Sequence, residues 1–412
     1  MEERIFLARQ PILDRQQNLF AYELLFRDSA SGTANVKSDL AATAQVITRL
    51  FSEMGVQAVL GQALGFINVS REMLLSDMIE LLPANQIVLE ILETVEVDRA
   101  VVDRCVALKK AGFTLALDDF TVLREEYRML LPLVDIVKVD VMGMDTAALH
   151  EACQRLKPWP AKLLAEKIDD RGQFATCLEL GFHYFQGYFF ARPSVMEARR
   201  ADPSQLTLLK LLGLVLEDAE TTELENAFKQ DPKLTYSLLR LTNSVACGVT
   251  QRIRSLSQAI VVLGRRQLLR WLQLLLFALE EGSGPYPTPL MRLAAARGKT
   301  MEILARIGAA KDRVLQDQAF MTGVFSLLDV LLGQPLADLV EQLRLDDDLR
   351  SALLERRGQL GRLLRLCEAM EKADFDAVAA ILRELPELSP HDLMEAQLAA
   401  ARWVDSLAET SP

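Results

Sequence analysis

The 412-residue sequence predicts an α/β fold, a (β/α) TIM-like barrel, over its first half and an all-helical domain over its second. Two observations carry the barrel. Short apolar, strand-like runs alternate with segments of helical periodicity. Each run also ends near a polar group: Glu23 in Leu19–Phe26, Asn68 in Gly65–Asn68, Glu90 in Ile87–Ile91, and Asp118 with Asp119 after Thr114–Leu117. Lys138 and Asp140 follow in Asp135–Asp140, Glu166 in Lys162–Glu166, and Gln186 in the last short strand. Polar groups at the C-terminal ends of successive parallel strands meet at one face of a barrel. The helical half rests on a third observation. Beyond Pro193 the alternation stops, and from Pro203 to Leu407 the chain is leucine-rich with helical spacing.

In chain order, residues 4–13 read as a first strand, and Asp14 to Asn18 as a polar turn into the Glu23 strand. Ser38 to Met54 has helical periodicity, with Gly55 as its stop. Helices are predicted near 71–81, 97–111, 146–156 and 170–180, the second closed by Gly112 and the last by Gly181. The polar stretch at 195–203 marks a boundary, giving domains at 1–195 and 200–405.

A formal net charge of −11 argues against non-specific binding to nucleic acid or an anionic membrane. The local basic group Arg252, Arg254, Arg265, Arg266 and Arg270 reads ordinarily as solvated helix faces. Five scattered cysteines without Cys-x-x-Cys pairing give no disulfide framework and no structural zinc site. The N-terminus has no apolar run of signal-peptide length, and the apolar Leu268–Leu279 is too short to span a bilayer. These features predict a cytoplasmic protein with no membrane span.

The barrel residues suggest their own chemistry. Glu23, Asn68, Glu90 and Asp118 offer hard oxygen ligands, which suit Mg²⁺ or Mn²⁺ better than zinc because no histidine or cysteine joins them. Asp119 is placed to bridge to a second metal. Lys138 is placed to hold an attacking water, with Glu166 and Gln186 to position it, and Arg27 to grip a phosphate bidentately. Any one of these residues alone reads as a barrel-end salt bridge; the set reads as one site.

The first half, about residues 4–193, resembles an EAL domain, the cyclic di-GMP phosphodiesterase barrel. The family's Glu-Ala-Leu-x-Arg appears as Glu23-Leu24-Leu25-Phe26-Arg27, and Asn-x-Ser as Asn68-Val69-Ser70. Leu89-Glu90-Ile91-Leu92-Glu93, Asp118-Asp119-Phe120, Lys138-Val139-Asp140, Ala165-Glu166 and Gln186-Gly187-Tyr188 match the later motifs in order. The resemblance implies that Glu23, Asn68, Glu90 and Asp118 hold metal, with Asp119 shared between two ions. It implies that Lys138 and Glu166 serve the attacking water, that cyclic di-GMP is the ligand, and that a homodimer is open to it. Departures count as well. The family's glycine- and serine-rich loop after Asp-Asp-Phe is replaced by Thr121 to Tyr127, with no glycine, and its Glu-Gly-Val-Glu is Glu166-Lys167-Ile168-Asp169. Positions needing φ > 0 strain such residues. The departures imply weak or absent hydrolysis. An active phosphodiesterase yielding linear pGpG is the alternative, and a non-catalytic interaction scaffold the third reading.

The second half resembles an HDOD domain, a relative of HD phosphohydrolases that lacks the metal histidines. The matching stretches are Gln230 to Ser244 and Arg254 to Gly264. This half has one histidine, His391, beside Asp392 after Ser389-Pro390, a pattern expected of a helix start rather than a metal site. The resemblance implies an interaction or output module with a protein partner that the sequence does not name. Arg265, Arg266, Arg270 and Trp271 are the residues expected at a docking patch.

Overall fold

The computed structural model describes residues 5–28, 59–118, 125–187, 203–242, 255–278, 288–343 and 345–409. The helix expected at 38–54 and the boundary stretch 195–202 lie outside them. The chain forms two compact units, Met1–Arg192 together with Glu368–Asp405, and Pro193–Cys367 with Ser406–Pro412.

In the first unit eight strands close into a barrel in sequence order. They are β1 Ile5–Asp14, β2 Leu19–Asp28, β3 Leu64–Val69, β4 Ile87–Ile91, β5 Thr114–Leu117, β6 Ile136–Asp140, β7 Lys162–Ile168 and β8 Tyr184–Gly187. β2 to β8 run parallel, and β1 alone runs antiparallel to both its neighbours. A short turn permits that reversal. Asp14 Oδ1 accepts from the backbone N–H groups of Gln16 and Asn18 at 2.9 and 2.8 Å, which closes the predicted Asp14–Asn18 turn.

Strand period then builds the interior. One buried residue from each strand forms the central apolar layer: Ile12, Ala21, Phe66, Val88, Ala116, Ile136, Leu164 and Tyr184. Side chains two residues apart share a face, so the next inward layer is fixed by this one.

The helices around the barrel begin where acids cap them. Asp98, Asp145 and Asp170 accept from the backbone N–H groups of Val101, Ala148 and Gln173, starting Arg99–Lys110, Thr146–Leu156 and Arg171–Glu179. Gly112 and Gly181 follow two of these helices at φ +93, the left-handed stop that glycine supplies without strain. The single helix expected near 71–81 is instead two pieces, Arg71–Leu75 and a 3₁₀ turn Asp77–Leu81. Ser76 between them has extended backbone and caps the second piece.

The regular secondary structure of the second unit is all helical among its described residues. Its helix Arg265–Ala278 buries Leu268, Leu272 and Leu276, the stripe predicted for a buried helix. Pro289–Gly308 and Arg313–Phe325 pack so closely that a Cβ on Gly323 would lie 2.6 Å from the Cα of Gly298. The C-terminal helix Pro390–Glu409 belongs up to Asp405 to the barrel's unit; at its start Asp392 accepts from the N–H of Ser389 at 2.9 Å and Ser389 Oγ accepts from the N–H of Asp392 at 3.2 Å. This is the reciprocal capping box expected of that sequence. Among the described residues no helix is long and apolar enough to cross a membrane.

Candidate active site at the barrel mouth

Two residues beyond each member of the apolar layer stands a polar one. Counting forward on the parallel strands gives Glu23, Asn68, Glu90, Asp118, Lys138, Glu166 and Gln186. On β1, which runs backward, the count from Ile12 gives Gln10, paired in register with Glu23. Every strand thus contributes one polar group to the same end of the barrel.

Lys138 sits at the centre and is 1% exposed. Its Nζ lies 2.6 Å from Glu166 Oε1, 3.2 Å from Asp118 Oδ1 and 3.6 Å from Glu23 Oε1, and it donates a hydrogen bond to Glu90. Gln186 donates to Glu23 Oε2 at 2.5 Å and to Gln10 Oε1 at 3.0 Å. Glu23, Glu90, Glu166 and Gln186 are buried.

Four carboxyl groups facing one buried ammonium cannot all be comfortably ionised. Burial pushes Glu90 well above the ordinary carboxyl range, Lys138 pulling the other way and the neighbouring acids adding to the rise. Glu166 is pushed up to about 7, again chiefly by burial. For Lys138 burial alone would release the proton, but Glu90, Glu166, Glu23 and Asp118 outweigh it and raise its pKa well above the ordinary value.

The ring also holds unused acceptors. Asn68 Oδ1, Glu90 Oε2 and Gln186 Oε1 are buried without a hydrogen-bond partner. Orphaned buried oxygens are costly, of the order of 1–3 kcal/mol each. Oxygens of Glu90, Asp118 and Glu166 lie within 4.8 Å of one another, close enough to share a cation. Unsatisfied hard acceptors in a carboxylate cluster fit a hard divalent ion such as Mg²⁺ or Mn²⁺.

The structure therefore brings together Glu23, Asn68, Glu90, Asp118, Lys138, Glu166 and Gln186. Asp119 lies outside the described residues, as does the side chain of Arg27, whose backbone belongs to β2. Of the replaced loop, the described part forms a 3₁₀ turn, Glu125–Met129, and buried Tyr127 donates from its hydroxyl to the carbonyl of Glu93 at 3.2 Å. The residue missing from the sequence reading is Gln10. Its signal was present in β1, hidden because a hairpin reverses the direction of counting.

In the helical unit the basic group is largely neutralised. Arg265 pairs with Asp218 at 3.1 Å, Arg266 with Asp317 at 2.8 Å, and Arg270 with Asp317 and Glu302. Trp271, expected at a docking patch, stacks near Phe228 with ring centroids 6.4 Å apart. Arg252 and Arg254 lie outside the described residues.

Comparison with known proteins agrees with this division. The EAL domain family matches residues 2–193 and the HDOD domain family residues 206–350. The cyclic di-GMP phosphodiesterase CdgJ of Vibrio cholerae is 34% identical over 97% of this chain and 92% of its own length. The uncharacterized protein YuxH of Bacillus subtilis is 29% identical over 98% of this chain and 99% of its own. Among solved structures, the manganese and cyclic di-GMP complex of Klebsiella pneumoniae BlrP1 is 20% identical, covering 45% of this chain and 55% of that chain, with a TM-score of 0.39.

Proposed function

We propose a function from one premise: the chain belongs to the family of EAL–HDOD proteins, with a full-length relative in the Vibrio cholerae phosphodiesterase CdgJ. It is a signal-transduction protein that binds cyclic di-GMP at the mouth of its barrel with Mg²⁺ or Mn²⁺, hydrolyses it slowly, and acts on a protein partner through its helical half. The observation that carries this reading is the complete ring of inward polar groups, three of them with buried oxygens still lacking partners.

The roles follow from the ring. Glu23, Asn68, Glu90 and Asp118 would hold the metal, Asp119 would share a second ion, and Arg27 would grip a phosphate. A divalent ion there would supply charge for the phosphoryl oxygens and acidify a bound water. Lys138 and Glu166 orient the attacking water, and Glu166 accepts its proton. The water oxygen bonds to phosphorus, the P–O bond to one ribose 3′-oxygen breaks, that oxygen takes up a proton to become a hydroxyl, and the product is linear pGpG. Gln186 holds Glu23 in place and is itself steadied by Gln10. Hydrolysis is slow because Thr121 to Tyr127 carries no glycine to shape the loop beside Asp119. Full phosphodiesterase activity is the second reading, favoured by the intact ligand set and the name of the relative.

Calorimetry with cyclic di-GMP and Mg²⁺ or Mn²⁺, followed by product analysis of the same sample, tests both. Binding with slow pGpG release, lost in Glu90→Gln, is expected. Rapid pGpG formation would promote the second reading, and an absence of binding would sink both.

A further inference from the structure

We propose that the helical unit carries a second ligand site, for a purine nucleoside monophosphate, in a pocket separate from the barrel mouth. The pocket, about 250 Å³ in volume, lies along the helix Arg265–Ala278 and is lined among others by Arg265, Arg266, Leu269, Gln273, Asp317 and Phe320. Two of its polar groups are buried without partners. Gln273 is 1% exposed, yet its Oε1 accepts no hydrogen bond. Arg265 Nη1 is a buried donor with no acceptor, although its Nε meets Asp218 and its Nη2 donates to the carbonyl of Ala219.

An acceptor at one end and a donor at the other call for a ligand of opposite pattern. Gln273 and Arg265 are eight residues apart on one helix, about 12 Å along its axis. The ligand therefore needs an N–H group at one end and an anionic or acceptor group at the other. Leu269 lines the same cavity with apolar surface, while Phe320 is 1% exposed with the Arg270 guanidinium over its ring, 4.9 Å from the centre, so a flat ring has the planar guanidinium and not Phe320 to stack on.

Position decides the other end. Arg265, Arg266 and Arg270 line the pocket with Asp218 and Asp317, and Arg270 also meets Glu302, so three guanidiniums face three carboxylates. Arg266 is the more exposed of the pair at that end, 45% against 37% for Arg265, and so is placed to meet a phosphate at the mouth. A purine monophosphate joins these requirements: an N–H of the base on Gln273 (the ring N–H of guanine or the exocyclic amine of adenine), the base beside Leu269, and the phosphate on Arg265 and Arg266. The volume falls below the roughly 300 Å³ at which drug-sized pockets begin, so a base enters and a dinucleotide does not.

The test uses the full chain with chelator present, titrated calorimetrically with GMP, AMP, UMP, guanosine and inorganic phosphate. Saturable binding of GMP or AMP, tighter than UMP and than either half-ligand, is expected. Gln273→Leu should weaken purine binding about tenfold or more while the thermal midpoint holds. Arg266→Gln, at the exposed end, should weaken GMP and leave guanosine unchanged. Glu90→Gln, in the barrel, should leave GMP binding intact. Binding lost in Glu90→Gln but kept in Gln273→Leu would overturn the proposal, as would equal binding of UMP and GMP, or none of any probe.

Discussion

At the scale of single residues, the barrel mouth is a site in which desolvation outweighs pairing for some acids and not for the lysine. Burial pushes Glu166 up to about 7 in the folded protein against an ordinary value of 4.5. Between those values the folded chain keeps a proton that the unfolded chain has released. Folding stability from this group is therefore fully present below about 4.5 and is lost as pH rises through 7. Glu90, raised by burial, adds in the same direction. In chelator the melting midpoint should be lower at pH 8 than at pH 5.5, and Glu166→Gln should flatten part of that slope. A divalent cation added at pH 8 should restore much of the loss, because binding to the folded state alone stabilises it. Identical pH profiles for Glu166→Gln and the natural protein would refute this account of the cluster.

At the scale of elements, most of the site was legible because strand period and barrel topology leave few choices. Seven inward polar groups were found by noting which residue ended each apolar run, and the structure sets them two residues from the central layer. Gln10 escaped because β1 runs antiparallel, so its inward polar residue precedes the apolar one. The β7 departure was legible in a different way. Lys167 stands where the resemblance to EAL domains expects a glycine, and its φ is +56, the left-handed region that glycine enters freely. Pairing of β7 with β8 slips there, between Ala165 and Ile168. The next layer tolerates nothing larger: a Cβ on Gly187, at φ +147, would lie 2.2 Å from the carbonyl oxygen of Ile168. Lys167 forms an ion pair with Asp140 at 2.5 Å, on a half-exposed side chain. Lys167→Ala removes the pair and keeps the strain, whereas Lys167→Gly removes both. The glycine variant should be about 1 kcal/mol more stable than the alanine variant by urea denaturation. Equal stabilities would mean the bulge is unstrained.

At the scale of the whole molecule, helical periodicity identifies a helix but not the core that it joins. The sequence predicts one all-helical domain over 200–405, whereas Glu368–Asp405 falls in the compact unit of the barrel. Within that unit Arg9, on the outer face of β1, donates to the carbonyl of Val59 at 2.7 Å and to that of Gln397 at 3.5 Å. Asp405 stands against Gly61, whose φ is +59 and whose missing Cβ would lie 3.1 Å from the carboxylate. The last helix buries Leu393, Ala396, Ala400 and Val404, an apolar stripe spaced as one helix face. Arg9 is adjacent to Gln10, so the strand that meets the C-terminal helix outside also steadies Gln186 and Glu23 inside. A chain ending at residue 195 therefore lacks part of its own unit. It should melt well below the full chain, with weakened near-ultraviolet circular dichroism and weaker metal-dependent binding of cyclic di-GMP. Joining residues 368–409 to it through a flexible linker should recover most of both. If the 1–195 chain instead melts and binds like the barrel of the full protein, the C-terminal helices are dispensable to it. Failure of the linked chain to improve on 1–195 would count equally against a shared unit.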